Sequence, residues 1–234
     1  MIKAVVFDWF NTLARYDPPR EEVQSQALKQ FGVNIEPVKL IGPLAAADRF
    51  LYGQNAIKPV RNRSFEEQAN LYIRYEEILL TEAGIQFVKD IPARIYKEGS
   101  DIFSRKQDFV LFDDVLPALK MVRGHKLIIG MLTNLTKDMV QLSNKLGLTS
   151  YLDFIITPAI AGADKPHPAI FQAAIAKADA KPEECLYVGD QYNIDVVGAR
   201  GANMKAILID RNNLFPDYKE SPRIKSLIEV EQYL

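Results

Sequence analysis

Cysteine is almost missing from this chain: Cys185 stands alone among 234 residues, which excludes an internal disulfide and any metal cluster built on thiolates. Cys185 lies in an apolar, strand-like run and reads as a small buried hydrophobe, in keeping with a reducing cytoplasm. Histidine is nearly as scarce, and two of them, His125 and His167, argue against a histidine-based metal site. Neither sign of charge is in excess, with 29 basic residues against 30 acidic ones. Without a basic block, nucleic acid is not an expected partner. No apolar stretch approaches the length of a membrane span, and residues 1–7 are too short, and too directly fused to a strand, for a leader peptide. The expectation is a cytoplasmic protein with no membrane partner; nothing in the sequence sets an oligomeric state.

What is present begins with MIKAVVFDWFNTL, residues 1–13. Val5, Val6 and Phe7 form an unalternating apolar run, the pattern of a central strand buried on both faces of a parallel sheet, and the run stops on a carboxylate, Asp8. In doubly wound folds ligands collect beyond the carboxyl ends of the strands, so Asp8 falls at the edge where chemistry is done. Asn11 and Thr12 follow in a segment suited to a tight turn and to hydrogen bonding with an anion.

From Asp17-Pro18-Pro19 the character changes. Amphipathic stretches at 20–31, 38–52, 65–83 and 91–103 predict four helices with no strand between them, joined by loops near 58–63 and 107–112. Strand sequence resumes after Asp113, with apolar runs at 126–132, 154–157, 185–188 and 205–209 alternating with helices at 115–123, 137–146, 169–178 and 194–201. A polar loop at 210–222 and a closing helix at 223–234 complete the chain. The whole predicts an α/β protein, a Rossmann-like doubly wound parallel sheet over residues 1–14 and 113–234, interrupted by a helical insertion over 15–112. An insertion leaving from the ligand-binding edge is suited to act as a lid.

The later strands also run into polar groups. Thr133 and Asn134 follow the second, Asp164-Lys165-Pro166 sits in the loop after the third, and Gly189 and Asp190 follow the fourth. Together they offer a carboxylate nucleophile in Asp8, a hydroxyl and an amide for an anion, a lysine to neutralise charge, and a second acid to share a divalent cation with the first. With that inventory, FDWFNTL, MLTN, ADKPHP and VGDQYNID resemble, in order, the four motifs of the haloacid dehalogenase superfamily of hydrolases.

The resemblance implies a core sheet of strand order five-four-one-two-three with a helical cap between the first two motifs. It also implies roles. Asp8 attacks the substrate to form a covalent aspartyl intermediate, Thr133 holds the transferring group, and Lys165 bridges nucleophile and substrate. Asp8, Asp190 and the backbone carbonyl of Phe10 bind Mg2+, and Gly189 and Asp195 support the site, Asp195 by orienting Lys165 or a metal-bound water. Trp9, Phe10, Thr12 and Asn134 are the expected substrate contacts, Trp9 with packing as its plainer reading, and the substrate is a small anionic molecule.

One position departs from the pattern. Phosphatases that this chain resembles carry a second acid two residues after the nucleophile, to protonate the leaving group and then activate water. Here that residue is Phe10, whose ring can do neither. The preferred expectation is a Mg2+-dependent phosphohydrolase acting on a good leaving group. The alternatives are a metal-independent 2-haloacid dehalogenase, whose relatives place an aromatic residue at this position and take halide on a cap arginine such as Arg20, Arg49 or Arg61, and a ligand-binding protein that has lost turnover. Four further residues have plainer readings: Tyr72 and Tyr75 as packing within the helical block, and Asp113 and Asp114 as an acidic pair at a helix start.

Overall fold

All five residues of the first strand, β1 (Ala4–Asp8), are buried, because Val5, Val6 and Phe7 have apolar side chains to cover on both faces of a sheet. The computed structural model describes residues 1–103 and 108–234 and falls into two units, Met1–Arg15 with Val110–Leu234, and Tyr16–Phe109. From β1 the chain runs through β2 (Ala14–Asp17) into α1 (Arg20–Gln30), α2 (Ile41–Ile57), α3 (Phe65–Glu82) and α4 (Ile91–Phe103), and returns through β3 (Asp108–Leu111), which pairs with β2. Four residues are too few for alternation to declare itself, so neither β2 nor β3 is foreseen. The loop expected at 107–112 is a strand over Asp108–Leu111, and Gln107 lies outside the described residues.

Within the helical unit, Leu28, Leu40, Leu44, Leu79, Leu80 and Ile95 form an apolar core. A 3-10 turn, Pro37–Leu40, precedes α2, and Pro43 falls in its first turn, where a missing N–H forfeits no helical bond. The start of α3 is fixed by a reciprocal cap: Ser64 Oγ accepts from the Glu67 amide at 3.2 Å, and the Glu67 carboxylate accepts from the Ser64 amide at 2.7 Å. A polar seam crosses the same unit. Arg20 donates to both Asp48 oxygens at 2.7 and 2.8 Å and to the Tyr75 hydroxyl at 2.6 Å, while Gln24 donates to Glu76 at 2.9 Å. Tyr75 is therefore buried with its hydroxyl employed, and Tyr72 stacks on Tyr96.

The other unit continues with α5 (Val115–Gly124), β4 (Ile128–Leu132), α6 (Met139–Lys145), β5 (Phe154–Ile156), α7 (Pro158–Ala161), α8 (Pro168–Lys177), β6 (Cys185–Gly189), α9 (Val197–Gly201), β7 (Lys205–Ile209) and β8 (Arg223–Ile224). Its six strands lie in the order β5-β4-β1-β6-β7-β8, paired in parallel. Read from β7 and leaving β8 aside, that is the expected five-four-one-two-three, an α/β doubly wound sheet. Register does the positioning. Asp8 pairs with Leu132 and Phe7 with Val188, so Thr133, Gly189 and Asp190 all begin where β1 delivers its acid.

The closing helix expected at 223–234 is corrected. Arg223–Ile224 is a strand and Leu227–Tyr233 a 3-10 helix. β7 would otherwise end the sheet with open backbone groups, and the segment satisfies them: Leu208 N–H donates to the Pro222 carbonyl at 2.9 Å and Asp210 N–H to that of Ile224 at 2.7 Å.

Candidate active site

Beyond the carboxyl ends of β1 and β6, a buried lysine sits among acids. Lys165 Nζ donates to Asp8 Oδ1 at 2.5 Å, to Asp195 Oδ1 at 2.7 Å and to the Tyr187 hydroxyl at 3.1 Å. An ammonium has three N–H groups, and here all three are used. Asp195 is satisfied in turn: the Tyr187 hydroxyl donates to Oδ1 at 3.0 Å and the Gln191 amide to Oδ2 at 2.9 Å. Asp195 is fully buried on the π-turn Tyr192–Val196. Gly189 is glycine for a steric reason, since a Cβ there would lie 2.4 Å from Asp195 Cγ.

Asp190 stands apart from the lysine. Its Oδ2 accepts from Gln191 Nε2 at 2.8 Å and from Asn11 Nδ2 at 3.3 Å. Asp8, Asp190 and Asp195 each present a carboxylate oxygen within 4.8 Å of the others. That crowding sets the electrostatics. Burial pushes the Asp8 carboxyl up to about 6 against the opposing pull of Lys165. Burial, then the charges of Asp8 and Asp195, push Asp190 well above the usual carboxylate range. For Lys165, burial would lower the ammonium, but Asp195 and Asp8 outweigh it and hold it above its ordinary value.

Of the residues expected at the site, the structure gathers Asp8, Lys165, Asp190, Asp195 and Gly189. Thr133 is buried at the end of β4, its Oγ1 accepting from the Leu135 amide at 3.1 Å, and Phe10 is partly exposed. Three expected substrate contacts are employed otherwise. Asn134 spends both ends of its amide on the Lys165 peptide, donating to the carbonyl at 3.0 Å and accepting from the N–H at 2.7 Å, so it positions the lysine's backbone. Trp9 and Thr12 have no exposed surface and are core residues. Arg20, a candidate halide receiver, is held by Asp48 and Tyr75. Asp114, read as a helix-dipole acid, makes no cap bond to its helix and instead grips Arg211 through both oxygens at 2.8 and 2.9 Å.

Tyr187 and Asn134 thus join the candidate site in roles the sequence did not suggest. A signal for Tyr187 did exist. It pairs with Val6, and period-two alternation puts Val6 and Asp8 on one face of the sheet, so a polar tip in an otherwise apolar strand lies on the face of the acid.

A model of the haloacid dehalogenase-like hydrolase family matches residues 2–203. The chain is 27% identical to a glyceraldehyde 3-phosphate phosphatase of Methanopyrus kandleri over 246 aligned residues, covering 100% of this chain and 99% of that one. Among solved structures it is similar to a HAD-hydrolase, YfnB, of Bacillus subtilis bound to magnesium (TM-score 0.64, 16% identity, 100% and 98% of the two chains). It is also similar to a 2-haloacid dehalogenase of Pseudomonas syringae pv. Tomato (TM-score 0.55, 25% identity, 99% and 97%).

Proposed function

The chain belongs to the haloacid dehalogenase-like hydrolase family and is a hydrolytic enzyme, and from that premise we propose that it removes a phosphoryl group from a small anionic metabolite with a good leaving group, through a covalent intermediate on Asp8. One observation carries this reading: three carboxylates converge within 4.8 Å, and a single ammonium, Lys165, is bonded among them in the described residues. The excess of negative charge suits a divalent cation with oxygen ligands. Asp8 and Asp190 supply oxygen donors of the kind Mg2+ takes, and the Phe10 carbonyl is the further ligand that the family resemblance implies. Bound there, Mg2+ would neutralise charge on the transferring group.

This chain's own residues supply the rest. One Asp8 oxygen attacks phosphorus, the bond from phosphorus to the leaving oxygen breaks, and an aspartyl phosphate forms; water then attacks that phosphorus, releasing inorganic phosphate and restoring the carboxylate. Lys165, held by Asp195 and Tyr187, keeps a positive charge beside the nucleophile as a dianion approaches. Thr133 and its neighbouring amides receive the phosphoryl oxygens. Phe10 neither donates nor accepts a proton, so a general-acid contribution of typically ~10²–10⁴-fold is absent at that position. Acyl and aryl phosphates, whose leaving groups depart without protonation, are the favoured substrate class.

The alternative with an observation behind it is dehalogenation, because Phe10 is aromatic and halide needs no proton. Both readings are tested with one preparation. The expected result is Mg2+-dependent phosphate release from acetyl phosphate or p-nitrophenyl phosphate, abolished by EDTA and by Asp8→Asn. Halide release from 2-chloropropionate that survives EDTA, with phosphate esters untouched, would replace this reading with the alternative.

A further inference from the structure

Behind the nucleophile loop stands an arginine that no motif contains. The loop after Asp8 closes on itself: Asn11 N–H donates to the Ala14 carbonyl at 2.7 Å, and the amides of Leu13 and Ala14 both donate to the Trp9 carbonyl at 2.9 Å. Asn11 adopts a left-handed φ of 60°, which asparagine tolerates better than most residues, and its side chain reaches Asp190. The Thr12 carbonyl takes no part in this ring of bonds. It accepts from Arg211 Nη2 at 2.8 Å.

The same guanidinium bonds both oxygens of Asp114 at 2.8 and 2.9 Å and lies 4.0 Å from the centre of the Phe112 ring. Phe112 lies just past Val110, where the chain re-enters the sheet unit, and its N–H donates to the Leu13 carbonyl at 3.2 Å. Asp114 is in turn fixed by the Ser226 hydroxyl and the Leu227 amide, each at 2.8 Å. One planar cation therefore grips the loop that follows the nucleophile and the returning segment together. Lysine has neither the fork geometry nor the flat face for that combination.

We infer that Arg211 is a positioning residue for the reaction, holding the Thr12 peptide, and through it the Trp9–Ala14 loop, in register with Asp8 and Asp190. It touches none of the reacting groups, so its effect is one of geometry, to which near-attack reactions are steeply sensitive. The inference rests on the proposed chemistry at Asp8, and the experiment separates the two.

Wild type, Arg211→Met, Arg211→Lys, Ser226→Ala and Asp8→Asn are compared in phosphate release from acetyl phosphate with Mg2+, below the melting temperature of every variant. In parallel, the indole N–H signal of Trp9, the only tryptophan, is recorded without substrate. Arg211→Met is expected to lower kcat tenfold or more with KM within about twofold and to shift the Trp9 signal; Arg211→Lys is expected to do both to a lesser degree. Ser226→Ala, which loosens Asp114 without touching the loop, is expected to lose stability while kcat stays within twofold and Trp9 is unmoved. Arg211 variants with wild-type kcat, or with an unmoved Trp9 signal, would overturn the inference, and Arg211→Lys decides it should Arg211→Met fail to fold. Turnover surviving Asp8→Asn would sink the nucleophile reading instead, and the Trp9 signal would still judge Arg211.

Discussion

Glu76 gives the helical unit a pH dependence whose size follows from the structure. The residue is buried on α3 and accepts a hydrogen bond from Gln24. Burial pushes its carboxyl from 4.5 up to about 7, against smaller opposing effects of Gln24 and Arg20. Below about pH 4.5 the group is protonated in both the folded and the unfolded chain, so it costs nothing. Between about 4.5 and 7 the folded unit retains a proton that the unfolded chain has released, and stability falls as pH rises. Above about 7 both forms are ionised and the loss is complete. The distance from 4.5 to about 7 on the pH scale, at about 1.36 kcal/mol per pH unit, makes that loss about 3 kcal/mol. Glu76→Gln removes the titration while keeping an oxygen for Gln24. The variant should therefore match wild type near pH 4 and exceed it by up to about 3 kcal/mol at pH 8. Urea melts at pH 4, 6 and 8 are followed by far-ultraviolet circular dichroism, which reports the helices of both units, and by Trp9 fluorescence, which reports the sheet unit alone, so that the difference between the two reads the helical unit. A difference between variant and wild type that stays constant across this range would refute the argument, because a lost or gained packing contact has no reason to titrate.

Two further outcomes follow from the acid cluster. Gly189→Ala puts a methyl carbon only 2.4 Å from Asp195 Cγ, so Asp195 must move and take Lys165 with it; steady-state kinetics should show kcat reduced by about 10²-fold, and an unchanged kcat would mean that the Asp195–Lys165 contact is dispensable. Lys165→Met leaves Asp8 and Asp195 facing one another without their cation, at a cost of about 3–5 kcal/mol in urea melts at neutral pH. Acidification, which protonates Asp8, whose carboxyl burial already pushes up, should recover part of that loss, and destabilisation that does not ease on acidification would contradict it.

The acid at the end of β1 and the acid after β6 are legible because each interrupts a buried apolar run, and Lys165 because a lysine precedes proline in a loop between strands. Those signals lie along the chain. What escapes the sequence is set by register and by contacts between distant segments. Tyr187 sits within Leu186-Tyr187-Val188 and looks like core until pairing with Val6 puts it on the face of Asp8. Asn134 neighbours the expected anion site in sequence, yet its amide is turned to the Lys165 peptide, 31 residues on. Thr12 lies two residues past Phe10 and looks like a pocket residue, but the loop that closes on the Trp9 carbonyl leaves it buried, together with Trp9, for which packing is the plainer reading. β2, β3 and β8 are four, four and two residues long, below the length at which periodicity carries information, and they exist because neighbouring backbone is open to pair with them. The same logic explains why Arg211 is invisible in the sequence. It follows a buried aspartate, Asp210, whose oxygens accept from the Leu214 and Phe215 amides at 2.7 and 2.9 Å, and a polar loop is all that a linear reading finds there. Only the fold sets that loop beside the peptide of Thr12. Motifs mark the groups that meet a substrate, whereas the groups that hold them are recruited from wherever the sheet brings a donor within reach; changes at Asn134, Tyr187 and Arg211 should accordingly alter rate more than affinity.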